Sequence, residues 1–443
     1  MQDRQTLYGE SGVALKNKIM THSARLGVIG LGYVGLPLAM EMAREGFYVT
    51  GIDSDKKRVK AINAGVSYVL DAPSETLRAF LAAGKIKATE SPAAIQDLDT
   101  VSICVPTPLR KTRDPDLSHV IAAAEAVGNN LRPGQLVILE STTYPGTTQE
   151  VVLPILEKSG LQVGRDFFLA YSPERVDPGN RTYTTRNIPK VIGGATPQCT
   201  ELAALLYQQF VERVIPVSSP GTAEMVKLLE NTFRSVNIAL ANEMALMCDT
   251  FGINVWEVIE AAKTKPFGFM AFYPGPGLGG HCIPVDPHYL TWKAKMNGFE
   301  PRFIELATQI NNQMPTFMVS RVADALNDQQ KSLKGSKILG LGVAYKPDVN
   351  DVRESPALEI LQKLLEKGAL VSYTDPYVPT IELGNRRFCS VALTPKTLQS
   401  MDCGVILTNH SAFDYRMIAT HSPLIVDSRN ALRDYSGSHI LRF

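Results

Sequence analysis

One cysteine of the chain stands in a stretch whose composition suits nucleophilic chemistry. Cys282 follows Gly279, Gly280 and His281 in the run GPGLGGHCIPVDP and precedes Asp286. A cysteine is most often a small buried hydrophobic residue, but here the glycines leave little steric cover and an acid lies nearby. The thiolate is the reactive form, and a neighbouring cation favours it. Adjacent residues of an extended chain point to opposite sides, so we interpret His281 as lining the site and Cys282 as the candidate nucleophile.

A glycine-rich loop near the N-terminus has the spacing of a dinucleotide fingerprint. In GLGYVG, Gly30 permits a tight turn, Gly32 lets the backbone approach a pyrophosphate, and Gly35 allows close packing of helix on strand. Asp53 follows 18 residues after Gly35, where a carboxylate accepts hydrogen bonds from a ribose diol. An acid at this position favours NAD over NADP, although Arg58 lies close by in the sequence.

A second loop, GLGVAYKPDVNDVRESP, resembles the first only in part. Gly340 and Gly342 follow an apolar run, but the third glycine is missing and a polar loop replaces the immediate helix. A lysine point charge and an arginine fork both suit phosphates, which makes Lys346 and Arg353 candidates, although basic loop residues are also commonly solvated. The loop therefore predicts a phosphate site but no second complete dinucleotide site.

The elements that carry these loops alternate between strand and helix. LGVIG, FYVTGID, VSICVP and LVILEST are short β-rich runs separated by helical stretches, up to about Val217. Strands separated by helices indicate a parallel, doubly wound sheet. The same logic restarts near the C-terminus with KILGLGV, SPALEILQKLLEKG and LVSYTDP.

The middle of the chain has a helical period instead. Residues 221–251 contain no proline and predict one long amphipathic helix, and a second helical run extends from about Arg302 to Leu326. The apolar positions of the first helix are Met225, Leu228, Leu229, Phe233, Val236 and Leu240. Between the two helices, PFGFMAFYPGPGLGGHCIPVDP predicts an ordered loop or a set of tight turns.

We therefore predict an α/β fold of two Rossmann-like, doubly wound domains joined by a central helical domain with a long helix. The expected boundaries are an N-terminal extension at residues 1–23, a dinucleotide-binding domain at 24–217, a central domain with the cysteine loop at 218–328 and a second Rossmann-like domain at 329–443.

Composition narrows the classes of partner. Since 45 basic residues balance 44 acidic ones, a net charge of +1 predicts no binding to nucleic acid or to an anionic membrane. No run approaches the roughly 20 apolar residues of a membrane-spanning helix, and the first 23 residues are charged, unlike a secretory signal. The cysteines form no CxxC pair, which predicts a reducing, cytoplasmic compartment and no metal site. They are Cys104, Cys199, Cys248, Cys282, Cys389 and Cys403.

Seven motifs occur in an order that resembles one known family. They are GLGYVGLPLA, VPTP, ESTTYPGTT, YSPERVDPG, EMVKLLENTFRSVNIALANE, GPGLGGHCIPVDP and GVAYKPDVNDVRESPA. From about residue 25 to 435 the chain is similar to the UDP-glucose/GDP-mannose dehydrogenase family. The resemblance implies an NAD-binding N-terminal domain, a central helix that forms a homodimer or higher homo-oligomer, and a C-terminal domain that holds the UDP-sugar.

The resemblance also implies a four-electron oxidation that uses two NAD in succession. An alcohol becomes an aldehyde, which Cys282 captures as a thiohemiacetal, and a second oxidation leaves a thioester that water releases as an acid. By motif, Lys227 stabilises oxyanions with Asn231, which lies four residues further on the same helical face. Asp286 and Glu174 are the expected acid/base residues, with Glu174 assigned to thioester hydrolysis and the division between them open.

Further binding residues follow from the same motifs. The expected cofactor residues are Gly30, Gly32, Tyr33, Val34, Gly35, Asp53, Arg58, Thr107, Thr143 and Arg353. The expected substrate residues are Glu174, Arg175, Lys227, Asn231, Phe272, Tyr273, Gly279 and Lys346.

Two positions beside the nucleophile bear on the sugar. Members acting on UDP-glucose commonly have a serine before the cysteine and a lysine before the following aspartate, whereas this chain has His281 and Val285. The stretch from PFGFM to HYLTWK instead resembles members that act on UDP-N-acetylhexosamines for surface polysaccharide synthesis. UDP-N-acetylglucosamine is the expected substrate, while UDP-glucose and the manno and galacto epimers stay open.

Two other classes of protein share some of these features. A two-electron hydroxy-acid dehydrogenase has a Rossmann domain and a long helix but needs neither Cys282 nor a second nucleotide fold. A non-catalytic nucleotide-sugar sensor is disfavoured because the five candidate catalytic residues occur together.

Overall fold

The computed structural model describes residues 10–69, 71–177, 182–280 and 283–442. The described residues pack as two compact units. The first comprises Met1–Glu230 with His288–Asn297, and the second comprises Asn231–Pro287 with Gly298–Phe443.

Strands and helices alternate through the N-terminal part of the chain. The strands are β1 (Arg25–Ile29), β2 (Tyr48–Ile52), β3 (Ile86–Thr89), β4 (Thr100–Ile103), β5 (Leu136–Leu139), β6 (Phe168–Tyr171), β7 (Lys190–Gly194) and β8 (Val214–Val217). The helices are α1 (Glu10–Met20), α2 (Gly35–Arg44), α3 (Lys56–Asn63), α4 (Ser74–Ala82), α5 (Ser118–Gly128), α6 (Leu153–Glu157) and α7 (Pro197–Tyr207), with a 3₁₀ turn at Pro92–Asp97 and a π-helical turn at Thr148–Val152.

The strands of the first unit form one sheet with the order β3-β2-β1-β4-β5-β6-β7-β8. Every residue of β4, β5 and β6 is buried, as expected for strands that helices cover on both faces. All neighbouring pairs are parallel except β6 and β7, which pair antiparallel, so that β7 and its parallel neighbour β8 run opposite to the rest. The predicted doubly wound sheet is confirmed, with this one reversal that the sequence pattern did not reveal.

Helix α1 lies within the predicted N-terminal extension and packs against α7. Leu15 and Ile19 belong to the same buried cluster as Leu202 and Leu206 of α7. Lys18 also forms an ion pair of 2.8 Å with Asp99. These residues therefore contribute to the core of the first unit, and the domain boundary at residue 24 stays a prediction.

Four helices form the middle of the chain. They are α8 (Pro220–Phe251), α9 (Val255–Lys263), α10 (Asp286–Met296) and α11 (Arg302–Asp328). In the second unit, the amide of Asn242 on α8 donates to Asn311 on α11 at 2.9 Å, and Asn311 donates to the carbonyl of Ser235. Both asparagines are buried, so these hydrogen bonds satisfy their amide groups and fix how α11 lies along α8.

The C-terminal part of the chain builds a second parallel sheet. Its order is β10-β9-β13-β14-β15, and β11 and β12 form a separate antiparallel hairpin. The elements are β9 (Lys337–Leu341), α12 (Pro356–Glu366), β10 (Leu370–Thr374), β11 (Thr380–Leu383), β12 (Arg386–Cys389), α13 (Pro395–Gln399), β13 (Cys403–Ile406), α14 (Tyr415–His421), β14 (Ile425–Asp427) and β15 (Ile440–Arg442). As in the first unit, the first strand has neighbours on both sides, which creates the switch point beside which nucleotides bind in such sheets.

Within the described ranges, no helix combines the length and the apolarity needed to cross a membrane.

The packing of α1 predicts a stability difference between two neighbouring substitutions. Ile19 is fully buried whereas Val13 is 39% exposed on the same helix. Ile19→Ala should lower the free energy of unfolding by about 2–5 kcal/mol because it leaves a cavity under α7. Val13→Ala should change it by less than about 0.5 kcal/mol. Urea denaturation measures both variants, and equal effects would contradict the packing of α1 on the core.

Candidate active site

The loop between β1 and α2 needs glycine at two of its three glycine positions. Gly30 has a φ of +89°, and a Cβ there would lie 2.6 Å from the carbonyl oxygen of Cys104. A Cβ on Gly35 would lie 1.9 Å from the carbonyl oxygen of Gly30. Neither position accepts a side chain without moving backbone, so these glycines hold α2 against the sheet.

Gly32 serves the loop in a different way. A Cβ at Gly32 would have no heavy atom within 4 Å, so the protein itself would accept a side chain there. The glycine instead leaves the backbone accessible to a ligand. Tyr33 is half exposed, and Val34 precedes α2 as an N-cap without a side-chain hydrogen bond among the described residues. The N-terminus of α2 therefore keeps backbone donors and partial positive charge beside this loop, which suits an anion.

Asp53 ties the end of β2 to the same loop. Its Oδ2 accepts from the backbone N–H of Leu31 at 2.8 Å, and its Oδ1 accepts from the N–H of Asp55 at 2.9 Å. Arg58 Nη1 lies 3.5 Å from Oδ2. A carboxylate has about four lone-pair sites, so Asp53 keeps acceptor capacity for a hydroxyl pair.

Tyr68, which lies between α3 and α4, contacts this loop and was missed by sequence reasoning. Its hydroxyl donates to the carbonyl oxygen of Leu31 at 2.5 Å, and Arg58 lies over its ring at 5.8 Å from the centroid. Burial raises the pKa of Tyr68 to about 12, so the phenol stays a donor at neutral pH. No motif surrounds Tyr68, so nothing in the sequence indicated this contact.

The predicted cofactor residue Thr143 lies in a loop held by a buried acid of α8. The carboxylate of Glu224 accepts from the backbone N–H groups of Gly146 and Thr148 at 2.6 and 2.9 Å, and from the Thr148 hydroxyl at 2.7 Å. The Thr143 hydroxyl lies 3.4 Å from the same carboxylate. Burial raises the pKa of Glu224, although these donors oppose the rise. Glu224 was also missed, because its partners lie more than 70 residues away in the chain.

Thr107, the other predicted threonine, is half-buried after β4. Its carbonyl oxygen accepts from the hydroxyl of Tyr289, which is fully buried on α10, at 3.0 Å. This contact fixes the VPTP backbone through a residue that the sequence did not identify.

Glu174 lies beyond the end of β6 with its carboxylate held on both sides. Its Oε1 accepts from the backbone N–H groups of Arg175 and Val176 at 2.7 and 2.6 Å, and its Oε2 lies 3.6 Å from Lys190 Nζ. Burial favours the neutral acid, but Lys190, the backbone donors and Lys227 outweigh it, so the pKa of Glu174 lies below its ordinary value. Glu174 is therefore an oriented and ionised carboxylate at neutral pH.

Helix α8 carries two further predicted catalytic side chains, those of Lys227 and Asn231. They lie one turn apart, and both are buried. Arg175, which was predicted to bind substrate, makes an ion pair of 2.6 Å with Glu230 of α8 and donates to the carbonyl of Pro189. The guanidinium of Arg175 thus has protein partners that fix it to α8.

In the second unit, Asn231 and Asp286 form a buried pair. Asn231 Nδ2 donates to Asp286 Oδ2 at 2.5 Å, and Asp286 is only 2% exposed. Asp286 is the first residue of α10, where a carboxylate is stabilised by the helix dipole. Asn231 and Asp286 were each predicted as catalytic residues, from separate motifs, and their side chains are in contact.

The glycines before the cysteine pack against the loop that follows β9. A Cβ on Gly279 would lie 2.8 Å from the Cβ of Tyr345, and the N–H of Gly280 donates to the carbonyl of Arg353 at 3.3 Å. The Arg353 side chain pairs with Asp351 at 2.6 Å. Lys346 is half-buried beside Tyr345. Cys282 and His281 lie outside the described residues.

The aromatic residues predicted to contact substrate have protein partners in the second unit. Phe272 packs edge-on against Phe233, with ring centroids 5.6 Å apart. Tyr273 stacks on Trp256, and its hydroxyl donates to Glu260 at 2.7 Å. These contacts attach the stretch after PFGFM to α8 and α9.

A buried histidine orders the loop after β9. Asp375 accepts from the N–H of Val343 at 2.7 Å and from His410 Nε2 at 2.9 Å. The N–H of Asp348 donates to His410 Nδ1 at 3.0 Å. This pair fixes both ends of the segment that contains Lys346, and it spans 35 residues of sequence without a local signal.

Comparison with known proteins identifies the family. The chain matches the UDP-glucose/GDP-mannose dehydrogenase family over its NAD binding domain at residues 24–211, its central domain at 221–313 and its UDP binding domain at 339–434. UDP-N-acetyl-D-mannosamine dehydrogenase of Pyrococcus horikoshii is 37% identical over 424 residues, which cover 94% of this chain and 98% of that protein. The chain belongs to this family. UDP-N-acetyl-D-glucosamine 6-dehydrogenase of Pseudomonas aeruginosa is also 37% identical, over 80% of this chain and 83% of its own length.

The fold of this dehydrogenase agrees with a solved relative. The structure of UDP-D-ManNAc dehydrogenase from Pyrococcus horikoshii superposes with a TM-score of 0.86 at 36% identity, and the match covers 94% of this chain and 98% of that one. The predicted resemblance and fold class are therefore confirmed. The protein is an NAD-dependent UDP-sugar dehydrogenase.

The residues of the first unit fit the cofactor that the family implies. The open backbone at Gly32 and the uncapped start of α2 suit a pyrophosphate. The buried Asp53 carboxylate suits a ribose diol, which favours NAD. Steric room and donors are both present where a dinucleotide needs them.

Replacing Gly35 or Gly32 by alanine should cause two different defects, one in folding and one in cofactor binding. Gly35→Ala should lower the unfolding midpoint, because its Cβ would lie 1.9 Å from a backbone oxygen. Gly32→Ala should fold normally but raise the KM for NAD by about tenfold or more, since a methyl group then occupies the pyrophosphate approach. Thermal unfolding and NAD titrations distinguish the variants. Unchanged NAD affinity in Gly32→Ala would contradict the assigned cofactor loop.

Proposed function

We propose that this dehydrogenase oxidises the C6 hydroxymethyl group of a UDP-N-acetylhexosamine, with UDP-N-acetylglucosamine as the expected substrate, to the uronic acid through a thioester on Cys282. The observation that carries the proposal is the buried pair of Asn231 and Asp286. Asp286 lies four residues after Cys282 in GHCIPVD, so an oriented carboxylate accompanies the candidate nucleophile.

The proposed reaction has three stages. The C6 alcohol loses a proton and a hydride to give an aldehyde, and the Cys282 thiolate adds to its carbon. The resulting thiohemiacetal loses a second proton and hydride to give the thioester. Water then cleaves the carbon–sulfur bond, which releases the acid and returns the thiol. NAD, when bound, supplies the hydride acceptor for each oxidation.

The chain's own residues divide the charge and proton work. Lys227 and Asn231 stabilise negative charge on oxygen, and the burial of Lys227 strengthens its field because little water screens it. Asp286 accepts or returns protons beside the thiol. Glu174 is ionised at neutral pH and accepts a proton from the water that attacks the thioester.

The remaining candidates serve binding. In the cofactor site we propose Tyr33, Val34, Arg58, Thr107 and Thr143 beside the glycine loop and Asp53, with Arg353 on the side of the cofactor. For the UDP-sugar we propose Lys346 at the phosphates and Arg175, Phe272, Tyr273 and Gly279 around the sugar.

UDP-N-acetylmannosamine is the second candidate substrate. The relative from Pyrococcus horikoshii, named for that epimer, aligns with 94% of this chain, more than the glucosamine-named relative at the same identity. Both relatives are named for N-acetylated sugars, which supports that class over UDP-glucose.

The stoichiometry and substrate preference test the proposal together. Purified protein should form two NADH for each UDP-sugar consumed, and kcat/KM should be at least about tenfold higher for an N-acetylated UDP-hexosamine than for UDP-glucose. The panel contains UDP-glucose and the gluco, manno and galacto N-acetylhexosamines. A ratio of one NADH per sugar would remove the thioester route and leave a two-electron dehydrogenase.

Replacing the nucleophile should separate binding from acid release. Cys282→Ser should bind NAD and UDP-sugar with little change, but lose roughly 10³-fold or more in acid formation, as when other nucleophiles are removed. Cys389→Ser is the matched control, because that thiol is free and exposed on β12. Acid formation by Cys282→Ser at the rate of the control would refute the assignment.

We also propose that the dehydrogenase is a homodimer or a higher homo-oligomer. One face of α8 exposes large apolar side chains at helical spacing, whereas Leu228 is fully buried. The exposed residues are Met225, Leu229, Phe233, Leu240, Met247 and Phe251. A contiguous apolar stripe of this kind is typical of a helix that pairs with a partner.

The expected cellular role of the dehydrogenase follows from its proposed product. A UDP-linked uronic acid is an activated building block, so we propose that it supplies surface polysaccharide synthesis. The described cysteines are all free thiols, which agrees with the proposed cytoplasmic location.

A further inference from the structure

Strand β7 runs opposite to β6, so Lys190, its first residue, lies at the edge of the sheet where the parallel strands have their C-terminal ends. In the antiparallel pair, Tyr171 of β6 lies opposite Gly193 of β7. Glu174 lies three residues beyond Tyr171, and Lys190 lies three residues before Gly193, at the start of β7. Had β7 run parallel to β6, its first residue would lie at the opposite edge of the sheet.

Lys190 lies between two carboxylates at that edge. Its Nζ is 2.7 Å from Glu140 Oε2 and 3.6 Å from Glu174 Oε2. Glu140 follows β5 and is 1% exposed, while Lys190 is 5% exposed. The buried Lys190 ammonium group thus interacts with both carboxylates, and water screens these charges little.

A further cation acts on Glu174 among the described residues. Lys227 of α8 is the second cation whose field reaches it, and the guanidinium of the neighbouring Arg175 is paired with Glu230. Glu140 also accepts a hydrogen bond from the Tyr207 hydroxyl of α7.

The thiol of Cys104 completes this buried layer. Burial raises the pKa of Cys104, so it stays neutral and adds no charge. Lys190 is the charge that lowers the pKa of Glu174 most, and it acts against the effect of burial.

We propose that Lys190 is a positioning residue that keeps Glu174 ionised and oriented for thioester hydrolysis. The negative charge of Glu140 offsets part of the effect of Lys190 on Glu174. This inference rests on the proposed role of Glu174. It assigns a function to Lys190 and Glu140, neither of which was among the residues that the sequence predicted for the site.

The sign of each effect follows from the charges. Without Lys190, Glu174 faces a second carboxylate with less compensation, so its pKa rises and hydrolysis needs a higher pH. Without the charge of Glu140, the repulsion between the two carboxylates is removed, so the pKa of Glu174 falls and hydrolysis persists to lower pH.

The test is a pH profile of thioester hydrolysis in single turnovers of the full-length enzyme. NAD and UDP-N-acetylhexosamine start the reaction, acid stops it, and mass spectrometry follows the adduct on Cys282. Lys190→Met should move the acidic limb of the hydrolysis rate up by about one pH unit, which is tenfold slower hydrolysis below the limb. Lys190→Arg, which keeps the charge, should restore the limb, and Glu140→Gln should move it down.

Several outcomes would overturn the inference. A purely structural role for Lys190 predicts a hydrolysis rate lowered by the same factor at every pH, with the acidic limb unmoved. If Lys190→Met does not fold, Glu140→Gln decides alone, and an unmoved limb in that variant overturns the inference.

Glu174→Gln separates this inference from the proposed function. If that variant hydrolyses the thioester normally, or if no adduct forms in any variant, the proposed function fails. If Glu174→Gln stops hydrolysis while the Lys190 and Glu140 variants leave the limb in place, only the inference fails.

Discussion

A buried lysine shared by two carboxylates is the constraint on which the first unit's chemistry depends. A charge in a protein interior is tolerated only when it is paired and hydrogen-bonded, and Lys190 meets this condition with Glu140 and Glu174. The carboxylates raise the pKa of Lys190 against the effect of burial, so it stays a cation. The ends of β5 and β6 and the start of β7 are thereby joined, and the reversal of β7 is what makes the arrangement possible.

In both Rossmann-like sheets, an aspartate after the second strand fixes the loop that follows the first strand. In the first, Asp53 after β2 accepts from the loop that follows β1, and in the second, Asp375 after β10 accepts from the loop that follows β9. Each carboxylate fixes a glycine-containing turn at the switch point of its sheet. The first loop then continues at once into a helix that suits a pyrophosphate, whereas the second stays extended and polar, with His410 holding it in place. This difference is consistent with a cofactor domain and a UDP-sugar domain.

Local patterns predicted the parts of this protein that depend on neighbouring residues. The helix expected at residues 221–251 is α8, because its apolar spacing and lack of proline are local properties. The glycine loop and Asp53 were found for the same reason. Lys190, Glu140, Glu224 and His410 were missed because their side-chain partners lie 16 or more residues away in the chain. Nor does strand direction leave a mark on hydrophobic periodicity, so the reversed β7 was invisible in sequence.

The protonation of Glu174 can be observed without turnover. Difference infrared spectroscopy between the wild type and Glu174→Gln isolates the stretching bands of this one carboxyl group as pH is lowered. We predict a carboxylate band for Glu174 that persists to lower pH than that of an ordinary glutamate, which titrates at about pH 4.3, because Lys190 and the backbone donors lower its pKa. A carboxylic acid band for Glu174 at neutral pH would contradict the claim that Lys190 holds it ionised.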